Sequence, residues 1–261
     1  MKIDFSGKSF AVTGTSGIGL DAALYLARSG AQVFLAGIDA ALNADAQAAA
    51  KAESLPVFIS HVDVSDTASV SGWVAEISAR TDKLHGLVNA AAIQTYGTAA
   101  STTPDEWDHT IAVNLRSCYL TSHLLYPLLR AAEGASIVHI SSVQGHANQS
   151  AVLAYATTKG AIHALTRAMA VDCAAHKIRV NSVSPGSVRT PLLEYSARAL
   201  AGDEKPIEEI IAEFGKSHPV GRVGTTQETS AMIGYLCSDA AAFVTGTDMK
   251  IDGGLTAQLG V

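Results

Sequence analysis

Seven short runs of apolar and β-branched residues alternate with longer alanine-rich stretches along this chain of 261 residues. Strands that pair in parallel need a crossover connection, usually a helix, before the chain returns to the sheet. The alternation therefore predicts an α/β fold built from βαβ units, with a parallel sheet and helices on both of its faces. The predicted strands cover residues 10–13, 33–36, 57–60, 87–90, 137–140, 180–183 and 249–252.

The composition favours a single domain over residues 1–261. With 48% hydrophobic and 16% charged residues, the chain can bury one large core, and α/β folds of this length commonly form one domain. One charged stretch stands out at residues 194–219, where glutamates crowd together with Asp203, Lys205 and Lys216. We interpret the region of about 190–219 as a solvated excursion beside the substrate rather than as a second domain.

The charge balance and the cysteines narrow the partners and the compartment. Lys and Arg number 18 against 24 Asp and Glu, without a basic cluster, so neither nucleic acid nor a membrane surface is an expected partner. The sequence shows no export signal and no membrane-spanning run. The residues Cys118, Cys173 and Cys237 lack CxxC spacing, which favours a reducing cytoplasm over a disulfide framework. The nine histidines form no HExxH motif, so we expect no metal.

The first predicted strand leads into a glycine-rich turn, Thr13-Gly-Thr-Ser-Gly-Ile-Gly19, followed by a helical stretch. Glycines let the backbone approach a phosphate closely, and the amides at a helix start supply donors and a partial positive charge. The predicted cofactor contacts are Gly14, Ser16, Gly17, Ile18 and Gly19, although a tight turn without a ligand would explain the same glycines. The spacing is Gly-x-x-Gly-x-Gly rather than the common Gly-x-Gly-x-x-Gly.

Further candidates follow later strands, because open α/β sheets bind ligands at the carboxyl ends of their strands. Asp39 follows the second strand, where it would either bond the adenosine ribose or cap the next helix. Asp63 and Val64 follow the third strand, where Asp63 would either meet an adenine edge or close a turn. Small residues after the fourth strand and a rigid turn after the sixth add Asn89, Ala90, Ala91, Pro185, Gly186, Val188 and Thr190.

Tyr155 and Lys159 lie four residues apart and project from one face of a predicted helix. A cation about 4 Å from the phenol would lower the tyrosine pKa by roughly three units before desolvation takes some back, which suits a general acid or base. A chance pair on an amphipathic helix is the alternative interpretation. Ser142 ends the fifth strand, and Asn114 lies in a mostly apolar helical stretch, where an amide needs buried partners.

Taken together, these features resemble the short-chain dehydrogenase/reductase family from Phe5 to Thr256. The resemblance is carried by the glycine-rich turn, Asn89-Ala-Ala, Asn114, Ser142, Tyr155-x-x-x-Lys159, Pro185-Gly186 and a terminal Asp252-Gly-Gly. It implies a single-domain, Rossmann-type, doubly wound parallel sheet of about seven strands that carries NAD(P), commonly in a homotetramer. It also implies that Tyr155 passes the proton and that Ser142 bonds the substrate oxygen. By the same resemblance, Lys159 holds the nicotinamide ribose and lowers the tyrosine pKa, and Asn114 anchors a water in the proton relay.

Two departures from the family pattern concern the cofactor site. Gly14 and Gly17 are separated by two residues where the family usually has three, which could weaken cofactor affinity. Ala92 replaces a family glycine after the fourth strand, and we take this change as tolerated.

We predict an oxidoreductase that interconverts a secondary alcohol and a ketone and prefers NAD. NADP is less expected, because neither Thr15-Ser16 nor Gly37-Ile38 supplies a cation for its additional phosphate. An NADPH-dependent 3-oxoacyl-thioester reductase is one alternative, but it should carry Arg or Lys at those places. A non-catalytic dinucleotide-binding regulator is the other, but it should have lost one of the four catalytic candidates.

The predicted small-molecule substrate is polyhydroxylated, such as a sugar, a polyol or a sugar acid. Amide side chains suit hydroxyl groups, and Arg189 would be available to a carboxylate, although ordinary loop polarity is the alternative explanation. The charged segment 194–219 would close over the site as a lid. The predicted substrate contacts are Gln94, Ser142, Gln144, Gln149, Tyr155 and Arg189, with His146 nearby.

Overall fold

The computed structural model describes residues 3–202 and 204–259. Met1, Lys2, Gly260 and Val261 lie outside the described residues, as does Asp203 of the predicted charged excursion.

Seven strands form one parallel sheet, and every predicted strand is confirmed within one or two residues at its ends. Neighbouring strands follow the order β3-β2-β1-β4-β5-β6-β7, with all pairs parallel. The strands are β1 (Ser9–Thr13), β2 (Gln32–Gly37), β3 (Val57–His61), β4 (Gly86–Asn89), β5 (Ala135–Ile140), β6 (Ile178–Pro185) and β7 (Asp248–Ile251).

Nine α-helices among the described residues connect the strands and cover both faces of the sheet. They are α1 (Gly17–Arg28), α2 (Ala40–Ala52), α3 (Thr67–Ser78), α4 (Pro104–Ile111), α5 (Ser117–Ala131), α6 (Leu153–Cys173), α7 (Pro191–Ala201), α8 (Ile207–Lys216) and α9 (Thr226–Cys237). A π-helical turn, Ala112–Arg116, joins α4 to α5. The predicted single-domain, doubly wound α/β architecture is confirmed.

Two apolar layers hold the helices on the sheet. On one face, buried residues of α1, α2 and α9 pack on alternate side chains of the strands, for example Val12, Val33 and Val138. On the other face, α3 and α5 bury Trp73 and Leu125 against the remaining strand positions. Because both faces of the sheet are covered, the middle residues of β1, β2 and β4 are continuously apolar, as expected for a parallel sheet. The inner strand β6 differs, since it buries the polar side chains of Asn181, Ser182 and Ser184.

The strand order reverses between β1 and β4, and this reversal positions the functional site. Connections leave β1 toward one side of the sheet and β4 toward the other, so a crevice opens beyond their carboxyl ends. Within the described residues, no helix is both long and apolar enough to cross a bilayer.

Candidate active site

A large pocket of about 780 Å³ occupies the crevice at the carboxyl edge of the sheet. It brings together most residues predicted from the sequence, although they come from six different strand ends and two helices. The predicted residues that line it are Gly14, Ser16, Gly17, Ile18, Gly19, Asp39, Asp63, Val64, Ala90, Ala91, Gln94, Ser142, Gln144, Gln149, Tyr155, Lys159, Pro185, Gly186, Val188 and Thr190.

The glycine-rich turn forms a close-fitting cradle at the start of α1. A Cβ on Gly19 would stand 2.2 Å from the Gly14 carbonyl oxygen, and Gly14 itself has a φ of +98°. Ser16 is the N-cap of α1, but its side chain makes no capping hydrogen bond. The first-turn amides of the helix therefore face a pocket that has the donors and the backbone clearance for a pyrophosphate.

At the adenosine end of the pocket, Asp39 acts as a helix cap. Its Oδ1 accepts hydrogen bonds from the backbone amides of Ala41 and Leu42, at 2.8 and 2.9 Å. Asp63 likewise closes a turn, since it accepts from the amide and the hydroxyl of Ser65. The capping and turn alternatives are thus correct for both residues, which nevertheless still line the pocket.

The end of β2 has no room for a longer side chain. A Cβ added to Gly37 would meet Thr15 Oγ1 at 2.2 Å and Asn43 Oδ1 at 2.6 Å. Asn43 is anchored there by donating a hydrogen bond to the Gly37 carbonyl oxygen. Gly37 is therefore tied to the short turn after β1, which places the buried Thr15 side chain beside it.

Ser142, Tyr155 and Lys159 meet at the opposite end of the pocket. Ser142 follows β5, where its hydroxyl accepts a hydrogen bond from the backbone N–H of Gln144. Tyr155 and Lys159 lie one turn apart on α6, with the Lys159 ammonium 5.3 Å from the centre of the tyrosine ring. Lys159 donates a hydrogen bond of 2.8 Å to the carbonyl oxygen of Ile140. This geometry sets a phenol, a hydroxyl and an ammonium around one small volume.

Burial controls the proton affinities of this group. Burial raises the pKa of Tyr155 to about 12, and a hydrogen bond with the Ser142 side chain pulls it back only in part. Burial also lowers the pKa of Lys159 to about 8. The expected lowering of the tyrosine pKa is therefore wrong for this structure. Both residues are buried, and the loss of hydration is the largest effect on the pKa of each.

Asn114 lies behind the pocket at the π-helical turn. Its Oδ1 accepts from the Ile93 amide at 2.8 Å, and its Nδ2 donates to the Ile93 carbonyl oxygen and to Thr158. The buried partners expected for this amide are thus present. They tie the segment after β4, which lines the pocket, to α6, which carries Tyr155.

Asn89, predicted as a cofactor contact, does not line the pocket. Its Nδ2 donates to Nδ1 of His139, and its Oδ1 accepts from the Thr121 hydroxyl. All three residues are buried. The amide supports the strand ends because the last residue of β4 points its side chain between β5 and α5.

Arg189 and His146 are also absent from the pocket wall. The Arg189 guanidinium pairs with Glu194 at 3.1 Å and with Glu208 at 2.7 Å. His146 contacts Asp248 instead. Arg189 is therefore not placed to bind a substrate carboxylate, because two acids of the neighbouring helices already neutralise it.

Several residues that line the pocket were not predicted from the sequence. The segment predicted as a charged excursion forms α7 and α8, which turn apolar residues into the pocket while their charges face outward. The alternation of leucines with charged residues over 192–200 was the available signal. The missed apolar and aromatic wall residues include Ile93, Tyr96, Leu192, Leu193, Leu200 and Phe214.

Comparisons with known proteins show which family the chain belongs to. A family model described as enoyl-(acyl carrier protein) reductase matches residues 12–256. Cyclopentanol dehydrogenase of Comamonas sp. (strain NCIMB 9872) is 35% identical over 250 residues, which cover 94% of both chains. Trans-4-hydroxycyclohexanecarboxylate dehydrogenase of Sinomonas cyclohexanicum is 38% identical over 200 residues, which cover 76% of this chain and 70% of that one.

A solved structure shows the same architecture. The ligand-free aldohexose dehydrogenase of Thermoplasma acidophilum superposes with a TM-score of 0.89 at 31% identity, and covers 98% of this chain and 97% of its own. The family match, the relatives and the fold all indicate the same family. The chain therefore belongs to the short-chain dehydrogenase/reductase family, as an oxidoreductase that acts on alcohols.

Proposed function

We propose that this protein interconverts a secondary alcohol and a ketone with a nicotinamide cofactor, and that Ser142, Tyr155 and Lys159 carry the proton chemistry. The observation that carries the proposal is the convergence of these three groups in the pocket that also contains the α1 amide cradle. The cofactor supplies the acceptor or donor of the hydride. Gly14 and the first-turn amides would hold its pyrophosphate, and Lys159 its nicotinamide ribose.

The protein residues have separate tasks in this proposal. Tyr155 holds the transferable proton at its phenolic oxygen, donates it to a ketone oxygen in reduction, and takes it from the alcohol in oxidation. The Ser142 hydroxyl bonds the same substrate oxygen and fixes its distance from the phenol. Since burial keeps the proton on Tyr155, oxidation needs positive charge nearby, which a protonated Lys159 provides.

The direct test is a steady-state assay of NADH formation with a panel of secondary alcohols and NAD. Turnover that depends on both substrates and is lost in Ser142→Ala supports the proposal. Cofactor binding without turnover on any alcohol or ketone would instead support the non-catalytic regulator.

The preference for NAD remains part of the proposal. Thr15, Ser16, Gly37, Ile38, Asp39 and Leu42 form the adenosine end of the described pocket wall, and none of them is a cation. A 2′-phosphate there would lose its hydration without gaining an ionic partner, and Asp39 would add repulsion. This distribution also disfavours the NADPH-dependent 3-oxoacyl-thioester reductase. A higher kcat/KM with NADP than with NAD would overturn the preference.

For the substrate, the apolar wall contributed by α7 and α8 favours a compact ring alcohol. Leu192, Leu200 and Phe214 line the pocket, as do the predicted glutamines. Relatives that oxidise cyclopentanol and a hydroxycyclohexane carboxylate are consistent with this class. The substrate would lie between the apolar wall and Ser142, with α7 and α8 as its cover.

The polyhydroxylated substrate predicted from the sequence is the second candidate, and one observation favours it. Gln144 Oε1 is buried in the pocket wall and has no hydrogen-bond partner among the described residues. A substrate hydroxyl could donate to it. The similarity to an aldohexose dehydrogenase agrees with this alternative. Comparing kcat/KM for cyclopentanol, cyclohexanol, sugars and polyols decides between the two candidates.

We further propose a homotetramer in the cytoplasm. Tyr119 on α5 and Val171 on α6 are 53% and 78% exposed and offer apolar surface for an interface. A second copy of the chain would cover them. The three described thiols are free and buried, which fits a reducing compartment.

A further inference from the structure

Three potential metal ligands from three different elements meet below the turn that follows Ser142. They are His146 after β5, His163 on α6 and Asp248 at the start of β7. Their ligand atoms all lie within 4.8 Å of one another. We propose that this cluster, the His146–His163–Asp248 site, binds one divalent transition-metal ion such as Zn²⁺. The ion would be structural, and the inference does not depend on the proposed function.

The carboxylate of Asp248 is oriented in advance by buried hydroxyl groups. Ser182 and Ser184 donate hydrogen bonds of 2.6 and 2.9 Å to its Oδ1. Both serines are fully buried on β6. Its Oδ2 faces Nε2 of His146 at 2.8 Å. Outer hydrogen bonds of this kind fix ligating carboxylates in metal sites and raise their affinity.

The two imidazoles direct the same nitrogen toward this carboxylate. Their rings stack with centres 4.2 Å apart and planes inclined by 26°. Nε2 of His163 lies 3.5 Å from Asp248 Oδ1. Burial lowers the pKa of His163, which favours the neutral ring that a metal ion needs. Nε2 of His163 also lies within hydrogen-bond distance of the hydroxyls of Ser141 and Ser184, at 2.8 and 3.1 Å. The positive charges of Lys159 and Arg167 act on the same ring and moderate the affinity for a cation.

Metal binding would require the exposed His146 ring to turn out of its stack with His163, because the lone pairs of two nearly parallel rings do not converge on one ion. Zinc bonds to His nitrogen and to carboxylate oxygen measure about 2.0–2.2 Å, which sets ligand atoms of a tetrahedral site roughly 3.3 Å apart. The observed separations, from 2.8 Å up to the 4.8 Å limit, bracket that value. The ion would replace the hydrogen bond between His146 and Asp248. It would also replace the hydrogen bonds between His163 Nε2 and the hydroxyls of Ser141 and Ser184. The His146 side chain is 32% exposed, which leaves a path from solvent and room for a water as a further ligand.

Ligand identity indicates which ions to expect. Two imidazoles and one carboxylate suit Zn²⁺, Co²⁺ or Ni²⁺ rather than Mg²⁺ or Ca²⁺, which prefer oxygen ligands. A bound ion would cross-link the pocket turn, α6 and β7. It would therefore raise the thermal stability of the native protein, because the unfolded chain separates the three ligands.

Metal binding is tested on the full chain after treatment with a chelator. Dialysis against ZnCl₂ should leave one zinc per chain, and saturating Zn²⁺ should raise the Tm by about 5 °C. His146→Gln keeps an amide that can bond Asp248 but removes the imidazole, so it should fold normally and lose both effects. His61→Gln is the matched control, since His61 is exposed at the end of β3 and lies outside the cluster. The control should bind like the original protein.

Cobalt distinguishes this site from adventitious binding to thiols. Co²⁺ at the His146–His163–Asp248 site should give visible ligand-field bands without the near-ultraviolet charge-transfer bands of a thiolate ligand. Asp248→Asn should abolish those visible bands. Substoichiometric binding, thiolate bands, or equal binding by His146→Gln and His61→Gln would overturn the proposal and leave the cluster as a hydrogen-bonded network.

Discussion

Tyr155 shows how a residue can carry reactivity while its environment holds it in one protonation state. Burial keeps the proton on the phenol, and burial also makes the charge on Lys159 easier to lose than in water. Any further positive charge brought near the phenol would lower the pKa values of both Tyr155 and Lys159. The pair is therefore poised to respond to what occupies the pocket rather than to pH alone.

Tyr155→Phe tests this assignment because it removes only the hydroxyl. Turnover should fall by at least about 10²-fold, which is typical of losing a general acid or base. NAD binding, followed by fluorescence titration, should persist because the ring still packs on α6. A variant that keeps more than about a tenth of the original kcat would rule out this role.

His139 is a buried residue with a consequence for stability at low pH. Burial lowers its pKa to about 4, with the charge of Lys159 adding to the effect. Between pH 6.5 and 4 His139 binds a proton in the unfolded chain but stays neutral in the folded protein. The free energy of unfolding therefore falls as the pH falls through this window. The expected loss is roughly 3 kcal/mol.

Urea unfolding at pH 7 and at pH 4.5 measures this loss, with His139→Asn as the comparison. The asparagine retains a polar group beside Asn89 but does not titrate, so its stability should depend less on pH in this window. An identical pH dependence in the two proteins would show that other groups cause the loss.

At the scale of elements, Asp39 precedes α2, and the sequence allows it to be either a ribose contact or the N-cap of this helix. Asp39→Ala removes the hydrogen bonds to the Ala41 and Leu42 amides and should cost about 1 kcal/mol of stability, as measured by urea unfolding. Asp39→Asn keeps the cap and removes the charge. If the carboxylate also repels NADP, the asparagine variant should gain NADP activity relative to NAD without losing stability. An unchanged cofactor ratio in both variants would limit Asp39 to capping.

The helices α7 and α8 supply the apolar wall. Its contribution to substrate binding can be distinguished by mutation from that of the polar residues of the pocket. Leu192→Asn should raise KM for cyclic alcohols by about 10-fold or more, since lost apolar contacts in a pocket are worth about 1–3 kcal/mol. Gln144→Leu should affect sugars and polyols instead. Steady-state kinetics of both variants on both substrate classes measures the contrast. If Leu192→Asn leaves cyclic alcohols unaffected, the ring-alcohol proposal fails.

At the scale of the whole molecule, the exposed apolar residues of α5 and α6 predict self-association. Val171→Lys places a charge where Val171 is 78% exposed, so it should leave the fold intact and lower the molar mass in solution. Light scattering after gel filtration measures the mass, and circular dichroism checks the fold. A tetramer that survives this change would place the interface elsewhere.

The sheet and most of the pocket could be predicted from the sequence because their determinants are local. Apolar runs specify strands, and the glycine-rich turn specifies a strand-to-helix connection that only small residues can form. Once the strands are parallel, their carboxyl ends must share one edge. For this reason, residues as distant in sequence as Gly14 and Tyr155 line one pocket, and the direction of the strands is enough to predict it.

Other features depended on which way side chains turn after packing, and sequence periodicity does not determine this. Arg189 forms ion pairs with Glu194 and Glu208 only because α7 and α8 pack beside the turn that contains Arg189. The raised pKa of Tyr155 follows from complete burial, which depends on every element around it. His146, His163 and Asp248 are far apart along the chain and match no spacing motif, so only the tertiary structure brings them together. Local sequence determined the frame and the catalytic candidates, whereas long-range packing decided their electrostatics and the contacts at the substrate end.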